Sequence, residues 1–289
     1  TLASCMVGPL IPPSIILVIY GLATNTSIGQ LFLGGLIAGL IVAACLMVHV
    51  FLYVKIAKPD WARPEPFDVR EVVRTGFYGA PALLAPVIIL GCLVRGVSPP
   101  PELGATATAY AVLVGLIYRQ FTWRKLRAAL VQTVTMTSVI MYLFAVASVM
   151  NFVIARERIA HQAADMMSQL TATPFFGILL VNLFLIVVGM FLEGPVAILI
   201  VAPILLHVVA EYGMGPVQFG IMLSFNLLIG MITPPMGIGL FVAGKVAGIS
   251  PEAVLKSSLP FFVPLLAGLA IISYVPWVTE WLPGLVFGR

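Results

Sequence analysis

Charge is what this sequence lacks. Only 9% of its 289 residues are Asp, Glu, Lys or Arg, against about 25% in a soluble domain. Hydrophobic residues make up 61%, and the mean hydropathy is +1.12. A soluble enzyme of this composition would expose more contiguous apolar surface than water tolerates. A disordered chain is excluded too, because disorder goes with low hydrophobicity and high net charge. Cysteine is scarce: Cys5, Cys45 and Cys92 are scattered and form no CxxC pair. They are expected as small buried apolar residues, which rules out a disulfide scaffold. The chain begins at Thr1 without a Met or a charged flank. That is not a signal peptide and reads as the interior of a longer protein.

Long apolar runs are what the chain has instead. No charged residue occurs in 1–54, and further charge-free runs are 75–94, 103–118, 128–155, 166–192, 194–210, 212–244 and 257–279. A spanning helix needs about 20 apolar residues, so these runs hold roughly eight to nine helical segments. A membrane barrel would instead show alternating segments of about 10 residues. The fold class is therefore an all-α polytopic membrane protein. The net charge is +4, and its placement matters more than its size. Lys55, Lys58, Arg63, Arg70 and Arg74 form one cluster, and Arg119, Arg124, Lys125 and Arg127 a second. Two apolar runs separate the clusters, so both lie on one side, and the positive-inside rule makes that side cytoplasmic. Asp60, Glu65, Asp68 and Glu71 are mixed into the first cluster, so it is no phosphate-tracking stripe, and nucleic acid is not an expected partner. Membrane lipid is.

Segment boundaries follow from the breakers. The first segment, 2–24, is interrupted by Pro12-Pro13, because proline removes a helical donor and clashes with the preceding turn. Helices are expected at 28–54 (opened by Thr26-Ser27), 76–95, 100–118 and 124–154. A short amphipathic stretch with Arg156, Glu157, Arg158, His161 and Asp165 suits an interface. Two apolar arms, 174–189 and 196–208, meet at the polar turn Glu193-Gly194-Pro195. At about 1.5 Å per residue they are short for a full crossing, so they read as a re-entrant hairpin. A second broken segment spans 216–248, interrupted at Thr233-Pro234-Pro235. A last helix covers 257–282, with Trp277 and Trp281 at the headgroup belt.

The two broken segments are related. GPLIPPSIILVIYG at 8–21 and GMITPPMGIGLFVAG at 230–244 align without gaps. Gly8, Ile11, Pro12, Pro13 and Ser14 then meet Gly230, Thr233, Pro234, Pro235 and Met236. Both are followed by a polar or glycine-rich stretch and a second apolar helix. Matching broken helices in two halves point to the binding site of a secondary transporter. A break frees backbone carbonyls, which are costly to bury in hydrocarbon unless something binds them. A cation held by carbonyl and hydroxyl oxygens removes that cost, and half-helix N-termini at the same depth favour an anionic substrate. The competing explanation is a pair of proline kinks that only shape packing.

These same residues carry a family resemblance. GPLIPPSIILVIYGLATNTSIGQLFLGGLIAGL resembles the first discontinuous helix of the large membrane (M) subunit of TRAP transporters. GMFLEGPVAILIVAPILL is similar to that family's second re-entrant hairpin, and FGIMLSFNLLIGMITPPMGIGLFVAGKVAGIS to its second discontinuous helix. SPPPELGATATAYAVLVGLIYR follows the family pattern as well, with Pro99-Pro100-Pro101 where the family more often has Thr-Pro-Thr before Glu102.

The resemblance covers essentially the whole chain. It implies an inverted-repeat fold, with a scaffold and an elevator-like transport domain, in the bacterial inner membrane. It implies sodium-driven import of organic acids, delivered by a periplasmic substrate-binding protein, with a small membrane (Q) subunit bracing the scaffold. It places one sodium site at Gly189, Gly230, Thr233 and Met236, and a pseudo-symmetric one at Gly8, Ile11 and Ser14. Pro12, Pro13, Pro234 and Pro235 then border the substrate. It also implies that the chain is the C-terminal two-thirds of such a subunit, without the first re-entrant hairpin. The division expected is 1–54 (remainder of the first transport repeat), 55–75 (cytoplasmic loop), 76–170 (scaffold and arm helices), 171–250 (hairpin and broken helix) and 251–289 (C-terminal helix).

Other features are weighed beside these. GLFVAGK at 239–245 nearly matches a P-loop, but Val246 follows and no strand precedes it, so it is a chance match. Glu193, ionisable at an apolar turn, is either a gating or cation-attracting group or a cap for the second arm. Arg156 and Arg158 are either guides for an anionic substrate or interfacial anchors. Glu102 complements a helix dipole. His49, His161 and His207 lack metal-ligand spacing, and no nucleophile–base arrangement suggests an enzyme. Two other function classes remain beside the leading one. They are a stand-alone sodium/dicarboxylate symporter or anion exchanger of related fold, and a membrane scaffold that transports nothing.

Overall fold

The computed structural model describes residues 1–57, 68–95, 102–119, 121–171 and 173–288. Residues 58–67 of the charged loop and the Pro99-Pro100-Pro101 departure lie outside the described residues. The regular structure of the described residues is all helical, without a strand. The chain divides into two compact units, Thr1–Met47 with Val139–Arg289, and Val48–Ser138.

The first unit opens on the expected break. A short helix α1 (Leu2–Cys5) and a 3-10 turn (Gly8–Leu10) lead to Pro12-Pro13, and α2 (Ile15–Thr24) leaves at 45° to the preceding piece. Asn25, in the left-handed region at φ 55°, ends α2. Helix α3 (Ile28–Ala57) starts behind Ser27, whose hydroxyl accepts the N–H of Gln30 at 3.4 Å.

The second unit holds the end of α3, then α4 (Val69–Val94), α5 (Leu103–Ile117) and the start of α6 (Trp123–Arg156). Helix α4 begins seven residues before the expected start at 76, because the Asp68 carboxylate accepts the Arg70 N–H at 2.8 Å and caps it. It bends by 50° between Pro81 and Leu84, and the Tyr110 hydroxyl donates to the Pro81 carbonyl at 2.6 Å.

The remaining helices complete the first unit. They are α7 (Ile159–Leu170), α8 (Pro174–Phe191), α9 (Gly194–Glu211), α10 (Pro216–Met231), α11 (Ile238–Ala247), α12 (Pro251–Tyr274) and α13 (Trp277–Phe287). Two expectations need correction. The hairpin arms α8 and α9 are 18 residues each, or about 27 Å. Only Leu192 and Glu193 interrupt them, since Pro195 is tolerated in a first helical turn. Shortness therefore does not mark them as re-entrant. The segment expected as one C-terminal helix is two, broken at Val275-Pro276, so Trp277 and Trp281 belong to a separate helix.

Five described helices are long and apolar enough to cross a bilayer, or seven spans if each bent pair counts as one. The second broken segment contributes two shorter apolar helices to neither count. Helix α6 leaves Val134, Met141, Tyr142 and Phe152 exposed, as suits a helix facing lipid. The cysteines differ from expectation for the same reason. All three are free, Cys5 exposed and Cys45 and Cys92 half-buried, because in a bilayer an apolar side chain need not be covered by protein.

Helix α10 is the hub of the first unit. Every residue from Val217 to Gly230 is buried, and α2, α8, α9, α12 and α13 pack around it. A helix apolar all round is what such a central position requires. Tyr20 of α2 is wholly buried, and its hydroxyl donates to the Pro216 carbonyl at 2.8 Å. Its ring meets the Phe219 ring edge-on at 6.0 Å and lies directly on Gly220, where a Cβ would collide with it. The Tyr212 ring likewise fills the place of a Cβ on Gly177. Burial, and then the neighbouring Glu211 charge, raise the Tyr212 phenol above the ordinary tyrosine range.

Candidate functional site: two breaks and a hairpin turn

The two Pro-Pro breaks fold alike. In the first, the N–H of Ile11 donates to the Gly8 carbonyl at 3.1 Å, and Leu10 to Val7 at 3.1 Å. In the second, Thr233 donates to Gly230 at 2.9 Å, and Ile232 to Ile229 at 3.1 Å. These are the same four positions of the gap-free alignment. Each helix thus tightens into i→i+3 bonds before it ends. Both Pro12-Pro13 and Pro234-Pro235 are cis. The next carbonyls, of Pro9 and Met231, are denied a local donor altogether. The residues three and four positions on are Pro12 and Pro13 in one case, Pro234 and Pro235 in the other, and proline has no N–H.

The sequels diverge. Ser14 is buried and its hydroxyl accepts the Leu17 N–H at 3.3 Å, capping α2. Its counterpart Met236 is 55% exposed, and α11 is opened instead by Gly237 with φ 38°. Thr233 is half-buried, and its hydroxyl donates to the Ile229 carbonyl at 2.7 Å. That bond uses the one proton of the hydroxyl and leaves oxygen lone pairs as acceptors.

The hairpin turn approaches both breaks. Gly189, in the last turn of α8, meets α10 backbone to backbone. A Cβ built on Gly230 would stand 2.6 Å from the Gly189 Cα and 2.7 Å from the Ile186 carbonyl oxygen. One built on Gly189 would stand 2.9 Å from the Leu227 Cα. On the other side of the turn, a Cβ on Gly194 would lie 3.6 Å from Ile16 Cδ1, two residues past Ser14. Of the residues expected at the second site, Gly189, Gly230 and Thr233 are thus brought together around the end of α10, with Met236 exposed beyond the break.

The other expected residues are placed as follows. Glu193 is exposed at the N-cap position of α9 and its side chain makes no capping bond, although its carbonyl accepts the Ala197 N–H at 3.0 Å. Arg156 ends α6, and Arg158 precedes α7 in the left-handed region with φ 52°; both are exposed. Gly8 and Pro13 are exposed and Pro12 is buried. His161 and His207 are not isolated in space, since their rings approach to 5.4 Å. Among the described residues no three His, Cys, Asp or Glu side chains gather as for a metal.

Two features escaped the sequence reading. Gly35 and Gly39 of α3 receive the first break: a Cβ on Gly35 would stand 2.7 Å from the Leu10 carbonyl oxygen, and one on Gly39 2.7 Å from Ile11 Cγ1. The signal was a G-x-x-x-G spacing in an apolar helix, which lets backbones approach closely. The second is a buried polar cluster of Asn182, Gln218, Asn226 and Ser273. Neutral polar side chains inside apolar helices were its signal.

These helices and breaks define a polytopic α-helical membrane protein built around discontinuous segments. A family model described as "Tripartite ATP-independent periplasmic transporter, DctM component" matches residues 1–278, and the chain belongs to that family. It is 37% identical over its whole length to the sialic acid TRAP transporter large permease protein SiaM of Vibrio cholerae, of which it covers 67%. It is 32% identical over 99% of its length to the sialic acid TRAP transporter permease protein SiaT of Haemophilus influenzae, covering 46% of that protein. It is 35% identical over 96% of its length to the C4-dicarboxylate TRAP transporter large permease protein DctM of Pseudomonas aeruginosa, covering 64%. The chain therefore spans about half to two-thirds of the length of these curated relatives. They are named as permease proteins of transporters, not as enzymes, and a multi-pass place in the bacterial inner membrane fits this family.

Proposed function

We propose that the chain is part of the permease subunit of a sodium-coupled, binding-protein-dependent secondary transporter that imports organic acids. The relatives' names, for a sialic acid and for C4-dicarboxylates, support carboxylates or acidic sugars as the substrate class. The observation that carries the sodium reading is the backbone contact of Gly189 with Gly230 beside Thr233. There, the Met231 carbonyl, which the two prolines deny a helical donor, and a hydroxyl whose proton is already used offer neutral oxygens to a cation. Gly189, Gly230, Thr233 and Met236 hold one ion in this reading, and Gly8, Ile11 and Ser14 the other. The prolines 12, 13, 234 and 235 border the substrate, Glu193 gates the hairpin turn, and Arg156 and Arg158 guide the anion. The segment 171–250, with 1–54, is the moving transport part, and 76–170 belongs to the scaffold. A small membrane (Q) subunit and a periplasmic binding protein complete the system.

The test uses the full-length permease with its small subunit in liposomes, with a sodium gradient imposed and the binding protein present or absent. Sialic acid and a C4-dicarboxylate are the substrates offered. Uptake is expected to require both sodium and the binding protein. Thr233→Ala is expected to raise the sodium concentration for half-maximal uptake, while Thr233→Ser keeps it near wild type. Uptake without the binding protein would favour a stand-alone symporter, and equal uptake in choline would end the sodium reading.

A further inference from the structure

The buried polar cluster makes an interhelical link that packing does not explain. Asn182 of α8 and Asn226 of α10 are 5% and 0% exposed. Asn226 Nδ2 donates to Asn182 Oδ1 at 2.7 Å and to its own helix at the Met222 carbonyl at 2.9 Å. Asn182 Nδ2 donates to the Ile178 carbonyl at 3.0 Å and to Ser273 Oγ of α12 at 3.1 Å. The two helices run in the same direction: 182 meets 226, and further along each helix 189 meets 227 and 230.

At the Gly189–Gly230 end the two helices meet backbone to backbone, a contact without a directional bond to fix how far α8 slides along α10. A hydrogen bond between two side chains, each also anchored to its own helix, does fix it. Seven residues separate Asn182 from Gly189 and four separate Asn226 from Gly230, so the link lies on the same helix faces within about two turns of the contact. The cluster is poorly designed as a source of stability. Among the described residues Asn226 Oδ1 is buried without a hydrogen-bond partner, a state that native structures seldom tolerate without another reason. A pair of apolar side chains of similar shape would avoid that penalty.

We propose that Asn182 and Asn226 are positioning residues, a register lock that sets the Gly189–Gly230 backbone contact. Ser273 braces the lock from α12 through Asn182. The consequence for transport rests on the sodium reading above: slippage of α8 along α10 moves the oxygens of Gly189 relative to those of Gly230 and Thr233, and so weakens cation binding before it weakens the fold.

The test is the full-length permease carrying Asn182→Leu and Asn226→Leu together, with its small subunit and binding protein in liposomes. The double variant is expected to melt at or above the wild-type temperature. Its sodium concentration for half-maximal uptake is expected to rise at least tenfold, while maximal uptake at saturating sodium falls less than threefold. Ser273→Ala is expected to shift the same concentration in the same direction by a smaller factor. Hydrogen exchange of the amides in 227–233 supplies a readout that needs no sodium, and is expected to quicken at least tenfold in the double variant. If wild-type uptake proves independent of sodium, the sodium reading fails and exchange alone decides the lock. Wild-type exchange in the double variant overturns the lock. Failure of that variant to fold overturns it as well, because the pair would then hold the fold rather than its register.

Discussion

Gly230 rests on Gly189 with no room for a single methyl group: a Cβ there would stand 2.6 Å from the Gly189 Cα. The obstruction is backbone, not the end of a flexible side chain, so it yields only if α8 and α10 separate. Gly230→Ala is therefore expected to cost about 1–3 kcal/mol in overpacking, read as a lower melting temperature of the full-length permease, and to abolish uptake. Gly189→Ala meets the Leu227 Cα at 2.9 Å and is expected to be the milder of the two.

That contact also marks where sequence reasoning ended. The paired breaks were legible because Pro12-Pro13 and Pro234-Pro235 are covalent facts with one physical consequence, the loss of helical donors. The repeat alignment paired residues whose hydrogen bonds match in the structure, Ile11 to Gly8 and Thr233 to Gly230. What the alignment did not carry was context. Gly8 and Gly230 occupy equivalent positions, but the Gly189 backbone that meets Gly230 arrives on α8 through tertiary packing, which no alignment of the two breaks encodes. The Asn182–Asn226 pair was illegible for a related reason. An isolated Asn in an apolar helix does not say which other helix it faces. The hairpin arms look short in sequence because Glu193-Gly194-Pro195 carries the residues of a polar turn, whereas α8 runs to Phe191 and α9 runs from Gly194 to Glu211.

The first break has its own anchor. Gly35 and Gly39 of α3 are spaced four apart and receive Leu10 and Ile11 at distances that leave no room for a Cβ. Gly35→Ala meets the Leu10 carbonyl oxygen, which cannot turn aside, and is expected to lower the melting temperature by several degrees. Gly39→Ala meets the flexible end of Ile11 and is expected to be tolerated better. Combining Gly39→Ala with Ile11→Val removes atoms from that contact and is expected to recover most of the loss. Gly35→Ala has no such partner on Ile11, and recovery there would contradict the geometry.

Tyr20 and Gly220 test how α2 is tied to the hub. The ring occupies the place of a Gly220 side chain, so Gly220→Ala is expected to displace it and also to break the hydroxyl bond to the Pro216 carbonyl. Tyr20→Phe loses only that bond and is expected to cost about 1 kcal/mol. The double variant Tyr20→Leu with Gly220→Ala relieves the collision, and is expected to melt above Gly220→Ala alone. Strict additivity of the two changes would show that the ring and the glycine do not share that space.

Gln218 holds the break between α12 and α13. The donor that an unbroken helix would offer the Ile272 carbonyl is the N–H of residue 276, and Pro276 has none. The Ser273 carbonyl is left in the same place by the end of the helix. Gln218 Nε2 donates to both, at 3.0 Å each, from a side chain that is 2% exposed. One amide group thus satisfies two buried acceptors for which α12 has no donor of its own. Gln218→Leu fills a similar volume and orphans both, at a cost of about 1–3 kcal/mol for each carbonyl left without a partner. Gln218→Asn is one methylene shorter and is expected to fall between Leu and wild type. Pro276→Ala restores the missing N–H, which lets α12 continue toward α13. It is therefore expected to recover part of the Gln218→Leu loss when the two are combined, measured as melting temperature. If Pro276→Ala gives no recovery, the two carbonyls are not what Gln218 is there to satisfy.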